Sequence, residues 1–332
     1  MCIAPHATAA ARENNLPASL ILPFLGKLLY PLPSLWRMDN LPSWRKAGRI
    51  AAESMAYGAG LIRKGASLLE VTEKTEAKIA ALGGRPAFPV QISCNHLAAH
   101  YCATSDDPLA FTDQLVSLDV GVHVDGCIGD TAVTIDLSGN QGKLVQASRA
   151  ALENAIQGFR QQKNLGEIGR IIQDTIQGLG FAPVRNLSGH GLQPFQVHTP
   201  PTIPNYDNGD ETVLQDMIFA VEPFASTGMG VIHEAGEATI FSLDRKKPVR
   251  SPMTRKILQQ IESYQGLPFC TRWLEQRFPQ GYVALALREM RNLEMLTAYP
   301  PLPDMGKGMV SQAEHTLYID ADGKVEVLTA LR

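Results

Sequence analysis

Leu115-Val-Ser-Leu-Asp-Val-Gly-Val-His-Val-Asp-Gly126 and, directly after it, Cys127-Ile-Gly-Asp-Thr-Ala-Val-Thr-Ile-Asp136 are two halves of one pattern. Val116, Leu118, Val120, Val122 and Val124 alternate with other residues, the period of a strand with one dry face. Asp125-Gly126 supplies residues that accept positive φ, as a two-residue type I′ turn requires. The second run returns as the partner strand. With the loop at 125–126, Asp119 faces Ala132 and Asp130 faces Gly121. The two aspartates then share one face, diagonal to each other, with Cβ atoms roughly 7 Å apart. Carboxylates so placed can bracket two divalent ions, which lie about 3.5–4 Å apart in binuclear hydrolases. Gly121, opposite Asp130, is expected to leave room for an ion. No Lys or Arg occurs from 114 to 135, so nothing local neutralises these acids. The bland alternative is an acidic, solvated sheet face on which Asp125 merely serves the turn.

Outward from this hairpin the chain alternates helical and strand-like periods. Upstream, Trp44, Ala47, Ile50, Ser54, Tyr57 and Leu61 recur at helical spacing. Gly65 stops that pattern, and Ser67-Leu-Leu-Glu70 reads as a capping box opening a second helix. Gly83-Gly84 closes it. Downstream, helices are expected at about 142–162 and 167–179, separated by Gly166. Strands are expected near 216–222, 238–243, 316–320 and 325–329, with a proline-flanked helical block at about 252–296. Helices packed against an antiparallel sheet make an α+β class.

The chain has 332 residues, 45% of them hydrophobic, which is enough for one large core or two ordinary ones. Its 30 Lys and Arg against 33 Asp and Glu give −3, without the basic footprint of a DNA-binding protein. Five cysteines at 2, 94, 102, 127 and 270, with no Cys-x-x-Cys, read as free thiols of a reducing, cytoplasmic setting. Leu16 to Trp36 is apolar but carries Pro17, Pro23, Lys27, Pro31 and Pro33, so it makes no membrane span. Nor does it follow the cationic start of a signal peptide. Residues 1–38 are expected to be a poorly ordered or peripheral extension, and 39–332 a single catalytic domain.

Three further motifs bring metal-ligand chemistry. Ser188-Gly-His190-Gly191 sets an imidazole between glycines, read as a loop. Ile218-Phe-Ala-Val-Glu222-Pro223 ends an apolar strand on a carboxylate, and Ala313-Glu314-His-Thr316 opens another strand with one. Asp119, Asp130, Glu222 and Glu314 with His190 form an oxygen-rich donor set with one imidazole, which suits hard or borderline divalent ions.

On these residues the chain resembles the type II methionine aminopeptidases, of the pita-bread fold. The resemblance runs through Pro86-Ala-Phe-Pro-Val90, Ala98-Ala-His100-Tyr101, Asp119 to Gly126, Asp130-Thr-Ala-Val133, Leu187-Ser-Gly-His190, Val221-Glu-Pro-Phe224, Tyr299-Pro-Pro-Leu302 and Glu314-His-Thr316, in family order over about 43–330. It implies a curved antiparallel sheet flanked by helices, with a helical insertion at about 245–298. It also implies an enzyme that removes the initiator methionine from nascent proteins and peptides, using water activated by two divalent ions (Co, Mn, Fe or Zn). Asp119 would chelate one ion, His190 and Glu222 the other, and Asp130 and Glu314 would bridge them. Glu222 would also shuttle the proton, His100 and His198 would act on the substrate, and Phe88, Val197, His198 and Tyr299 would line the methionine pocket.

Some residues depart from the family pattern: Gln91, Cys94, Thr199-Pro200 after the second histidine, and Ala313 before the last glutamate. Two other readings stand beside the first. One is an X-Pro aminopeptidase or prolidase, which shares the five ligands; Phe88, Tyr299 and the insertion favour the methionine enzyme. The other is a non-catalytic pita-bread protein that binds ribosomes or other proteins. Residues 244–294 hold ten Lys and Arg and five Asp and Glu, a local +5 that would suit a transient ribosome contact. A solvated helical surface explains the same charge.

Overall fold

The computed structural model describes residues 40–331. The extension expected over 1–38 lies outside the described residues. In chain order the elements are α1 (Leu41–Leu61), α2 (Leu68–Ala81), β1 (Arg85–Pro86), β2 (Gln91–Cys94), β3 (Leu115–Val124), β4 (Cys127–Asp136), α3 (Gly142–Arg160) and α4 (Leu165–Gly178). Then come β5 (Ala182–Pro183), β6 (Ser188–Gln193), β7 (Gln196–Pro204), β8 (Met217–Val221), β9 (Phe224–Ser226) and β10 (Ile240–Leu243). The chain continues with α5 (Pro252–Glu262), β11 (Phe269–Cys270), α6 (Thr271–Glu275) and α7 (Gln280–Asn292), and ends with β12 (Leu296–Tyr299), β13 (Val310–Gln312), β14 (Glu314–Ile319) and β15 (Val325–Val327).

A nine-stranded antiparallel sheet in the order β1-β3-β4-β14-β8-β6-β7, with β2 on β3 and β15 on β14, holds the centre. The β3–β4 hairpin has the expected register: Asp119 pairs Ala132 and Gly121 pairs Asp130. Asp125 and Gly126 both take positive φ, 52° and 89°. One expectation changes. Both faces of β3 are covered, so Ser117, Gly121 and His123 are buried along with the valines. Ile50, Ala51, Val71 and Ile79 of α1 and α2 pack on the valine face. Helix α1 lies so close to β4 that a Cβ on Gly129 would stand 2.6 Å from the Gly48 Cα. Tyr57, placed by its spacing on the inner face, is 41% exposed.

Helices α3 and α4 cover the other half of the sheet through Leu144, Ala151, Ile168 and Ile172, which share a core with Phe219 of β8. Helix α4 starts at Leu165, two residues before the expected bound, because Asn164 and Glu167 form a reciprocal capping box. At α2 only half of the expected box forms. Ser67 accepts from the Glu70 N–H, while the Glu70 carboxylate pairs with Lys74.

Between β10 and β12 the chain builds α5, α6 and α7 around a separate core of Ile257, Ile261, Leu274, Val283 and Met290. Arg272, 1% exposed, fastens this block to the rest. Its guanidinium donates to both oxygens of Glu76 on α2 at 2.9 and 2.7 Å and, through Nε, to the Ala103 carbonyl at 3.3 Å. The Trp273 indole and the Val90 N–H donate to the same carboxylate. No helix among the described residues is long and apolar enough to cross a membrane.

Candidate metal centre and substrate cleft

Five strands bring the five expected ligands to one place. Asp119, Ala132 and Glu314 form one row across β3, β4 and β14, because Ala132 pairs with both neighbours. Asp130 lies two residues before Ala132 on the same face. His190 pairs Ala220 on β8, and Glu222 follows the end of that strand. The result is dense. Side-chain atoms of Asp130, His190 and Glu314 lie within 4.8 Å of one another. His190 Nε2 stands 3.9 Å from Asp130 Oδ2 and 3.6 Å from Glu222 Oε1.

His190 sits on strand β6, not in a loop as its glycine neighbours suggest. Those glycines serve close strand packing: a Cβ on Gly189 would meet the Ala220 carbonyl at 2.2 Å, and one on Gly191 the Pro200 carbonyl at 2.3 Å. Gly121 also has another purpose. The space beside it is filled by the Phe88 ring, 2.2 Å from where a Cβ would sit. An aromatic ring, not an ion, occupies the gap opposite Asp130.

The four acids have few donors. Asp119 Oδ1 and Asp130 Oδ1 are sealed from solvent with no hydrogen-bond partner among the described residues. Glu222 Oε2 accepts from the Gln312 amide at 3.3 Å. Burial raises the pKa of Asp119 to about 7. Asp130 is pushed well above the carboxylate range by burial and then by Asp119. Glu222 and Glu314 rise by burial and then by their acidic neighbours, Asp130 first. Four carboxylates this close cannot all ionise unless cations join them. Burial holds His190 neutral, and its Nδ1–H points to the Gly191 carbonyl at 3.4 Å, which leaves Nε2 as a lone pair facing the acids. A neutral imidazole aimed by its other nitrogen is the usual form of a metal ligand. Orphaned oxygens and this tautomer fit the divalent ions implied by the sequence.

The remaining site residues divide into pairs. Phe88 and Val197 share one apolar cluster. His100 meets Tyr299 edge-on at 5.5 Å between ring centres, and the Tyr299 hydroxyl is 3.1 Å from that of Ser242. His198 packs edge-on against His190 at 4.4 Å, and its residue is exposed. The protein around His198 lowers its pKa, an effect tempered by the water that reaches the ring. His100 has a positive φ of 67° and is kept neutral by burial, with its pKa lowered to about 4. Its Nδ1–H is directed to the Pro300 carbonyl at 3.2 Å, so Nε2 is an acceptor. Gln312, the amide beside Glu222, escapes a reading of the sequence. Its place two residues before Glu314, on the period of a strand, is the available signal.

A fifth acid, between the turn after β9 and the segment after Tyr299, behaves differently. Asp304, fully buried, accepts from the Ser226 hydroxyl at 2.9 Å and from the N–H groups of Met229, Gly230, Gly306 and Gly308 at 2.7–3.3 Å. Burial works to raise its pKa, but the Ser226 hydroxyl and the amides outweigh that and hold it low.

Comparison with known proteins places this geometry. Residues 43–250 match the metallopeptidase family M24. The methionine aminopeptidase of Thermococcus kodakarensis is 41% identical over 290 residues, covering 86% of this chain and 98% of that one. Among solved structures, a thermophilic Arx1 superposes with a TM-score of 0.76 at 15% identity, covering 89% of this chain and 92% of that one. A methionine aminopeptidase from Thermotoga maritima superposes at 0.63 and 22%, covering 89% and 98%. Both likenesses establish the fold, which is the expected pita-bread arrangement. The archaeal sequence identity goes further, and with it the chain belongs to the methionine aminopeptidases of metallopeptidase family M24, hydrolases that use divalent metal ions.

Proposed function

We propose that this chain removes the N-terminal methionine of nascent proteins and peptides at a centre of two divalent ions. The observation that carries the reading is the pair of sealed, unpartnered oxygens on Asp119 and Asp130 beside the neutral His190. Asp119 would hold one ion, His190 and Glu222 the other, with Asp130 and Glu314 between them. Co, Mn, Fe and Zn all suit oxygen donors with one imidazole. Bound there, the ions supply a nucleophilic water near neutral pH and polarise the scissile carbonyl.

The chain's own groups do the rest. Glu222 has one oxygen steadied by Gln312 and the other directed at the centre. It is suited to take a proton from the attacking water and pass it to the leaving amine. His100, with Nδ1–H committed to Pro300, can accept from a peptide N–H through Nε2. That leaves His198, whose ring reaches solvent beside His190, to donate to the developing oxyanion. Phe88, Val197, His198 and Tyr299 would receive the thioether side chain, which packs well against aromatic edges.

Among the described residues, the free thiols at 94, 102, 127 and 270 support a reducing, cytoplasmic setting. The basic insertion could add a transient ribosome contact by phosphate pairing. Metal content measured together with hydrolysis of Met-Ala-Ser, Met-Leu-Ser and Ala-Pro peptides tests the reading. Two ions per chain and cleavage after methionine before a small residue are expected. Comparable rates on Ala-Pro would move the chain to the prolidases instead.

A further inference from the structure

Gln91 opens strand β2 opposite Asp119 and is 8% exposed. Its side-chain carbonyl accepts from the backbone N–H of His100 at 2.7 Å. A backbone N–H can be answered only by an acceptor, so the orientation of this carboxamide is fixed by chemistry.

The peptide unit it holds is held twice. The Ala99 carbonyl at its other end accepts from the Leu302 N–H at 3.1 Å. His100 itself takes a φ of 67°, a left-handed conformation that is strained for a non-glycine residue and persists only where the surroundings impose it. Two contacts do so here. The Pro300 carbonyl fixes the ring, and Gln91 fixes the backbone that carries it.

We infer that Gln91 is a positioning residue that aims His100 at the substrate. The inference rests on the substrate role of His100 proposed above. Without the Gln91 carbonyl, the 99–100 peptide loses one of its two anchors and the His100 N–H is left unpaired. The backbone can then relax out of the left-handed region and carry Nε2 away from the peptide. Misplacement of such a group by about 1 Å costs on the order of a hundredfold in rate.

A double-mutant cycle on the metal-loaded full chain tests this. Gln91→Met and Gln91→Asn, one apolar and one polar but too short, are each expected to lower kcat about tenfold to a hundredfold. Metal content should stay at the parent level and KM should stay within about twofold of it. In a His100→Ala background the same changes should cost less than about twofold, because there is no imidazole left to aim. With two variants of different chemistry, the outcome does not depend on either one folding. Undiminished losses in that background, or parent-like kcat in both variants, overturn the inference and leave the role of His100 intact. Full activity of His100→Ala alone overturns the role of His100 first, and this inference with it.

Discussion

Asp130 and Asp304 are both almost completely buried aspartates, at 2% and 0% exposure, in one domain. Their surroundings are opposite. Asp304 is met by five donors, which outweigh burial and hold its pKa below the ordinary carboxylate value. Asp130 has an oxygen with no donor among the described residues and three acidic neighbours, and its pKa is driven upward. Burial alone therefore does not mark a carboxylate for chemistry. The missing donors do, because they leave the charge to be balanced by something other than protein. Asp304 ties the turn after β9 to the segment that follows Tyr299, and its task is finished within the fold.

The comparison can be broken most forcefully at the unpartnered acids. Asp130→Ala and Glu222→Ala should lose metal and activity together, by on the order of a thousandfold or more, since several kcal/mol of charge stabilisation go with the ions. Metal stoichiometry by mass spectrometry beside kcat measures both. Retention of two ions by Asp130→Ala would place that residue with Asp304 as a structural acid. A step smaller, His100→Ala and His198→Ala should keep both ions and lose roughly a hundredfold in kcat, the first as a lost positioning contact to the peptide and the second as a lost oxyanion donor.

Asp304→Asn turns the contrast around. It should leave metal binding near the parent level and reduce stability by about 2–4 kcal/mol, since an amide cannot accept everywhere a carboxylate did. A denaturant melt of the metal-loaded protein reads this, and loss of metal at unchanged stability would contradict it.

The smallest expected effect is in pH dependence. Asp119, whose pKa rises to about 7 on folding without metal, contributes stability below its unfolded value near 4 and loses it as pH rises through about 7. Asp304, held low, contributes above its unfolded value and loses it only as pH falls. The melting temperature of the metal-free chain should thus fall by a few degrees between roughly pH 5 and 8, and added metal should flatten that slope. An equal slope with metal bound would argue against the acids as its source.

These contrasts bear on what a sequence can reveal. The β3–β4 register is legible because turn chemistry and a period of two determine it without reference to the rest of the chain. The convergence of Asp119, Asp130, His190, Glu222 and Glu314 is legible through family spacing. What escapes are features set by tertiary approach. Gly121 reads as room for an ion because the sequence does not show that Phe88 returns to lie against it. The glycines around His190 read as a loop because close strand packing and a turn call for the same residue. Gln91 reads as a mere departure, since its partner is a main-chain N–H nine residues away that no side-chain pattern announces.

The Glu76–Arg272 pair has a consequence for anyone wishing to shorten this chain. Residues between β10 and β12 pack their own core and look detachable, like a module that could be excised to leave a leaner enzyme. Yet the cation on α6 neutralises a carboxylate of α2 that also receives the Val90 N–H, two residues from Phe88. Excision would take two of the three donors, Arg272 and Trp273, from the half-buried Glu76 carboxylate and leave it anchored only to the Val90 N–H. A minimal version would need Glu76→Gln or an apolar replacement in the same step, and so the insertion and the helix beneath it have to be redesigned as one unit.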